Sequence, residues 1–163
     1  MTTGHPSWFA GAILIMTAAI VGSSSGSHGI IGGAAVMAAS AAQNSEGKRS
    51  VKNGVYTEDQ AKRGQIVYRR CLLCHQDAGQ GDPNTGIPPV VGEEFLKSWS
   101  AHPLKELFDR ISQTMPQDNP AGLTQKEYVD VMAYILQMNK FPAGMEELPA
   151  DTAQLDRIVI EKP

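Results

Sequence analysis

The hydrophobic positions beyond residue 56 follow a helical rhythm. Thr57-Glu58-Asp59-Gln60 is a capping-box pattern, with a hydroxyl at the cap and an amide three residues on, and it predicts a helix running toward Cys71. Ala61, Gly64, Val67 and Tyr68 recur at three- and four-residue spacing, which gives that helix one packing face with a glycine where a second helix can come close. Thr124-Gln125-Lys126-Glu127 repeats the capping pattern. The helix it opens places Tyr128, Val131, Met132, Ile135 and Leu136 on its buried side, with Tyr134 nearby. Between the two, Leu104, Leu107, Phe108 and Ile111 mark a middle helix with Pro103 in its first turn, ending at Thr114-Met115-Pro116. No stretch alternates as a strand would, so the fold class is all-α.

Residues 1–42 contain no Lys, Arg, Asp or Glu, and the composition changes sharply near Gln43. Trp8 to Val21 has the length of a secretory h-region. Ile30 to Ala42 is a second apolar stretch whose small residues suit cleavage after Ala41 or Ala42. Neither run alone is long enough to cross a bilayer. Residues 1–42 are therefore read as a signal peptide or an uncleaved N-terminal anchor, and 43–56, polar with Gly47 and Gly54, as a linker or arm. A domain over 57–140 follows, and then a tail over 141–163. The net charge of −3, with acids and bases interspersed, argues against a nucleic-acid partner.

Candidate chemistry concentrates in Cys71-Leu72-Leu73-Cys74-His75. Two thiols three positions apart, followed at once by an imidazole, are the attachment signal of a c-type haem: two thioether bonds to the porphyrin edge and a proximal iron ligand from His75. A zinc site would need a second Cys/His pair, which the chain lacks. A thioredoxin-like dithiol would need a βαβ setting, whereas the residues before Cys71 read as helix. Cys71 and Cys74 are the chain's two cysteines, so haem attachment uses both and leaves none for a disulfide. Such attachment happens outside the bacterial cytoplasm, which fits an export signal.

A sixth ligand is sought among methionines and histidines. Met115 lies in a loop, followed by a proline that stiffens the backbone presenting it, and a thioether there would complete His/Met ligation. Met132 and Met138 lie on the last helix and read as packing, Met145 lies in the tail, and His102 is the rival ligand.

The attachment motif, the two terminal helices, Met115-Pro116 and the proline loop Ile87-Pro88-Pro89-Val90-Val91-Gly92 together resemble class I c-type cytochromes over about residues 57–140. The resemblance implies helices packed around one covalently attached haem c. It also implies that the carbonyl of Pro88, or of Pro89 one residue on, accepts the second N–H of His75. Val90 departs from the family's leucine. A narrower likeness covers Met115-Pro116-Gln117-Asp118-Asn119-Pro120-Ala121-Gly122-Leu123, Tyr128 to Leu136, Phe141-Pro142-Ala143-Gly144 and Glu147-Leu148-Pro149. It is similar to small cytochromes that accompany, or are fused to, dehydrogenases using pyrroloquinoline quinone. Trp99 resembles an aromatic lining the haem pocket in that group. The tail, with Leu148, Leu155, Ile158 and Ile160 as its apolar contacts, is expected to wrap the domain as an extended arm.

The function this implies is an electron carrier rather than an enzyme: an exported, periplasmic monohaem cytochrome taking electrons from a periplasmic dehydrogenase and passing them to a respiratory acceptor such as a terminal oxidase. The alternatives are a cytochrome subunit held within a quinoprotein dehydrogenase and a haem-based ligand sensor. Membrane contact is expected only if the N-terminal segment stays uncleaved.

Overall fold

A computed structural model describes residues 47–162, so the leader and the first part of the linker, 1–46, lie outside the described residues. The order is β1 (Arg49–Ser50), a single 3-10 turn (Val51–Asn53), α1 (Glu58–Tyr68), α2 (Leu72–His75), α3 (Gly92–Trp99), α4 (Leu104–Thr114), α5 (Gln125–Met138), α6 (Thr152–Leu155) and β2 (Ile158–Val159). Helices dominate, as the hydrophobic rhythm requires.

Helices α1 and α5 cross at Gly64. Ala61, Gly64 and Tyr68 are buried on α1, and a Cβ at Gly64 would overlap the backbone carbonyl of Asp130 on α5. The missing side chain therefore sets the distance between the helix axes. Tyr128, Val131, Met132, Ile135 and Leu136 are all buried on α5, and Tyr68 meets Tyr134 edge to face at 5.3 Å between ring centres. Beside the crossing, the Asp130 side chain is only 5 % exposed and accepts from Arg63 at 3.1 Å and from Lys126 at 2.9 Å. Burial is the largest influence on that carboxyl and opposes its ionisation, but the two cations together outweigh it and hold it below the ordinary carboxylate range.

The two capping signals resolve differently. Thr124 and Glu127 form a complete reciprocal box at the start of α5. On α1 the Thr57 hydroxyl does accept from the Gln60 N–H at 3.1 Å, but the Gln60 side chain turns away. It exchanges two buried hydrogen bonds with the backbone of Leu148, at 3.0 and 2.7 Å, and so ties the tail to α1. Pro103 is the residue before α4 rather than its first helical position.

The linker or arm, in its described part, is an integral piece of the domain rather than a tether. Val51, Val55 and Tyr56 are buried in the core. β1 pairs in parallel with β2, and the Tyr56 hydroxyl donates to the Phe141 carbonyl at 2.7 Å. Burial pushes that phenol up to about 12. The tail buries Phe141, Leu148, Leu155, Ile158 and Ile160, and its Ile160 exchanges backbone hydrogen bonds with Ala101 and His102. It is not uniformly extended, because Asp151 caps the short α6. Two-residue strands are too short to leave an alternating pattern in sequence.

Gly64→Ala sets two effects against each other. Alanine favours a helix by about 0.5–1 kcal/mol over glycine, whereas forcing a methyl into a packed site costs about 1–3 kcal/mol. Because the obstacle here is backbone, packing wins, and chemical denaturation should show a loss of about 2 kcal/mol or more.

Candidate haem site

Helix α1 ends where the motif begins. The Cys71 N–H donates to the Tyr68 carbonyl at 2.7 Å, and the His75 N–H to the Cys71 carbonyl at 2.8 Å, so one tight turn carries both thiols and the imidazole. Both cysteines are free and half-buried. Burial pushes the Cys71 thiol up to about 11, with Cys74 adding to the rise and Arg70 only partly opposing it. A thiol that holds its proton at neutral pH is the reverse of what a dithiol catalyst needs. Leu73, between the cysteines, is 96 % exposed.

His75 is 8 % exposed, and its Nδ1 lies 3.0 Å from the carbonyl oxygen of Pro88. Of the two register choices, the structure places Pro88 at this carbonyl contact. An imidazole donating from Nδ1 to a carbonyl has its Nε2 left as the metal-binding nitrogen. The chain between them folds back in steps: Gly81 N–H donates to the His75 carbonyl at 3.2 Å, and Asp82 and Ile87 pair as an antiparallel bridge. Gly81 stands at φ +64, and a Cβ there would overlap the Ile87 carbonyl, so this turn is built for glycine. Val90 N–H then donates to the Gly79 carbonyl at 2.8 Å.

Met115 directly follows α4 in extended conformation. Its N–H donates to Ile111, and its carbonyl accepts from the buried Tyr128 hydroxyl at 2.9 Å, which ties this segment to α5. Trp99, at the end of α3, is half-buried, 6.5 Å from the Phe95 ring and 6.3 Å from the His102 ring. His102 is on the surface, its Nδ1 2.6 Å from a Glu106 carboxylate oxygen, and its carbonyl accepts from the tail at Ile160. Met132 is fully buried in the core and Met145 is 96 % exposed.

These residues fit a covalently held haem. Two unpaired thiols and an imidazole with Nε2 available supply the donor set, and Leu72, Val90, Leu96, Trp99 and Ile111 pack against the core while staying only half covered. Such apolar surface is what a porphyrin face would shield from water.

Two features of the site were not read from the sequence. Helix α3 was missed, although Phe95, Leu96 and Trp99 carry a helical spacing that signals it. Asn139 is buried just after α5, where it bonds the Val90 carbonyl and the Gly92 N–H, each at 2.9 Å. Its only sequence signal, an asparagine following a helix, reads as an ordinary cap.

Residues 59–135 match the family model described as cytochrome c oxidase, cbb3-type, subunit III, a span that runs from α1 through the motif and Met115 into α5. No curated protein and no solved structure matches the chain. The matched span and the mostly helical fold agree: the chain carries a class I c-type cytochrome domain that binds haem c covalently, and its chemistry is haem-based electron transfer.

Proposed function

We propose that this chain is an exported, periplasmic monohaem cytochrome in which Cys71 and Cys74 form the thioethers, His75 is the proximal iron ligand and Met115 the distal one. The observation that carries the reading is the buried His75 ring held through Nδ1 by Pro88, on the same turn as two free thiols. A haem bound there would supply one-electron chemistry, with His75 and Met115 the residues that would hold its iron and the soft Met115 sulfur favouring the reduced form. The protein's own part is to keep those ligands in place. Pro88 fixes the imidazole plane and raises its basicity through the hydrogen bond. Tyr128 holds the Met115 backbone. Met115 is preferred to His102, whose side chain is 48 % exposed at the surface beside the tail.

Partners are redox proteins. Leu73 and Ile66, 96 % and 63 % exposed, lie beside the exposed Arg69 and Arg70, a partly apolar and positive rim next to the attachment turn. Such a rim suits a brief encounter, steered by charge, with an acidic partner. The likeness of the Met115–Leu123 segment and of the tail to quinoprotein-associated cytochromes supports a periplasmic dehydrogenase using pyrroloquinoline quinone as donor, with a terminal oxidase as acceptor. A second reading, a cytochrome module held inside a larger respiratory complex, is favoured by the oxidase subunit named in the matching family model. Purification separates them: a carrier leaves the cell as a free monomer, a subunit with its complex. No helix among the described residues is long and apolar enough to cross a membrane.

Met115→Ala should keep covalent haem, admit carbon monoxide to the reduced protein and lower the reduction potential. An unchanged spectrum and no carbon monoxide complex would move the distal role to another residue. Tyr128→Phe, which leaves the Met115 carbonyl without this partner, should cost about 1 kcal/mol in a denaturant titration while retaining His/Met ligation.

A further inference from the structure

The proline loop that supplies the His75 acceptor cannot anchor itself. Pro88 and Pro89 have no N–H, so the two residues around the accepting carbonyl donate no backbone hydrogen bond, and their position depends on what holds the flanks. On the Ile87 side the flank is held by the bridge to Asp82. On the far side, apart from the Val90 N–H bond to Gly79, it is held by the side chain of Asn139.

Asn139 is 6 % exposed, and both donors and the acceptor oxygen of its amide are engaged. Nδ2 donates to the Val90 carbonyl at 2.9 Å and to the Ile135 carbonyl at 2.8 Å, and Oδ1 accepts from the Gly92 N–H at 2.9 Å. Two carbonyls on one side and an N–H on the other fix which way the amide faces. No other common side chain of that size offers two donors and an acceptor: aspartate would set an oxygen against two carbonyls, and leucine would remove the side-chain partner of the Val90 carbonyl and of the Gly92 N–H.

We propose that Asn139 is a positioning residue for the proximal ligand, acting through Val90 and Gly92 to hold the Pro88 carbonyl against His75 Nδ1. This rests on the reading of His75 as an iron ligand. The strength of that hydrogen bond sets the basicity of the imidazole, and a more basic imidazole favours ferric iron. Releasing the loop weakens the bond, so the variant favours ferrous iron.

The test uses the holoprotein and Asn139→Ala, with Tyr56→Phe as a control that removes a different buried hydrogen bond, to the Phe141 carbonyl, and does not touch the loop. The expected result is an intact c-type spectrum and a rise in the ferrous-to-ferric ratio at fixed solution potential of roughly threefold or more, less than direct loss of an outer-shell partner brings. The His75 Nδ1 proton should also exchange faster with water in the nuclear magnetic resonance spectrum. Tyr56→Phe should lose stability and move neither quantity. An Asn139→Ala protein whose ratio and proton exchange stay at native values, or a Tyr56→Phe protein that shifts them equally, overturns the proposal. If Asn139→Ala does not accumulate, Asn139→Ser keeps a hydroxyl for one of the partners and is judged by the same two readouts. A native protein lacking c-type bands would instead defeat the haem-ligand reading itself, before any variant is made.

Discussion

At Gly64 two helices meet backbone to backbone, and the placement of the site follows from that contact. Because α1 comes so close to the Asp130 carbonyl, its end, and with it the turn carrying Cys71, Cys74 and His75, is set relative to α5. Helix α5 then reaches the rest of the site from its two ends. Near its start Tyr128 bonds the Met115 carbonyl, and just past its end Asn139 bonds the loop that carries Pro88. One rigid helix thus references three segments far apart in sequence, and the Arg63–Asp130–Lys126 cluster locks its middle to α1. A site assembled from loops keeps its geometry only when the loops are tied to regular elements in this way.

The tail and the arm close the other side. Gln60 gives up its place in a capping box to bond Leu148, and the short parallel pairing of β1 with β2 joins residues near the two ends of the described chain. Neither contact adds chemistry. Both bury apolar surface that a domain this small would otherwise expose.

Much of this was legible in the sequence, for identifiable reasons. Helices α1 and α5 announced themselves because their caps and their apolar spacing agree, and α4 because four apolar residues share one face. The turn of Cys71, Cys74 and His75 stood out in the sequence because five consecutive residues contain its candidate chemistry. The Pro88 contact was legible only to within one residue, since spacing alone does not distinguish neighbouring carbonyls. What escaped was non-local. Val51 and Tyr56 sit in a polar stretch that reads as a linker, and only the tail arriving from the far end of the chain makes them core. Asn139 looks like a helix end until the loop that it binds is folded beside it. Helix α3 was hidden by Gly92, which starts it at φ +77 and reads as the end of the proline loop.

The central claim is that His75 and Met115 hold iron between them and that electrons, not substrates, pass through the site. An absorption spectrum of the purified protein, oxidised and then reduced and carried into the near infrared, tests it most directly. The account predicts sharp c-type bands together with the weak charge-transfer band of ferric iron bound to a methionine sulfur. Sharp c-type bands without that feature would contradict the Met115 assignment, and a spectrum with no haem bands would contradict the whole account.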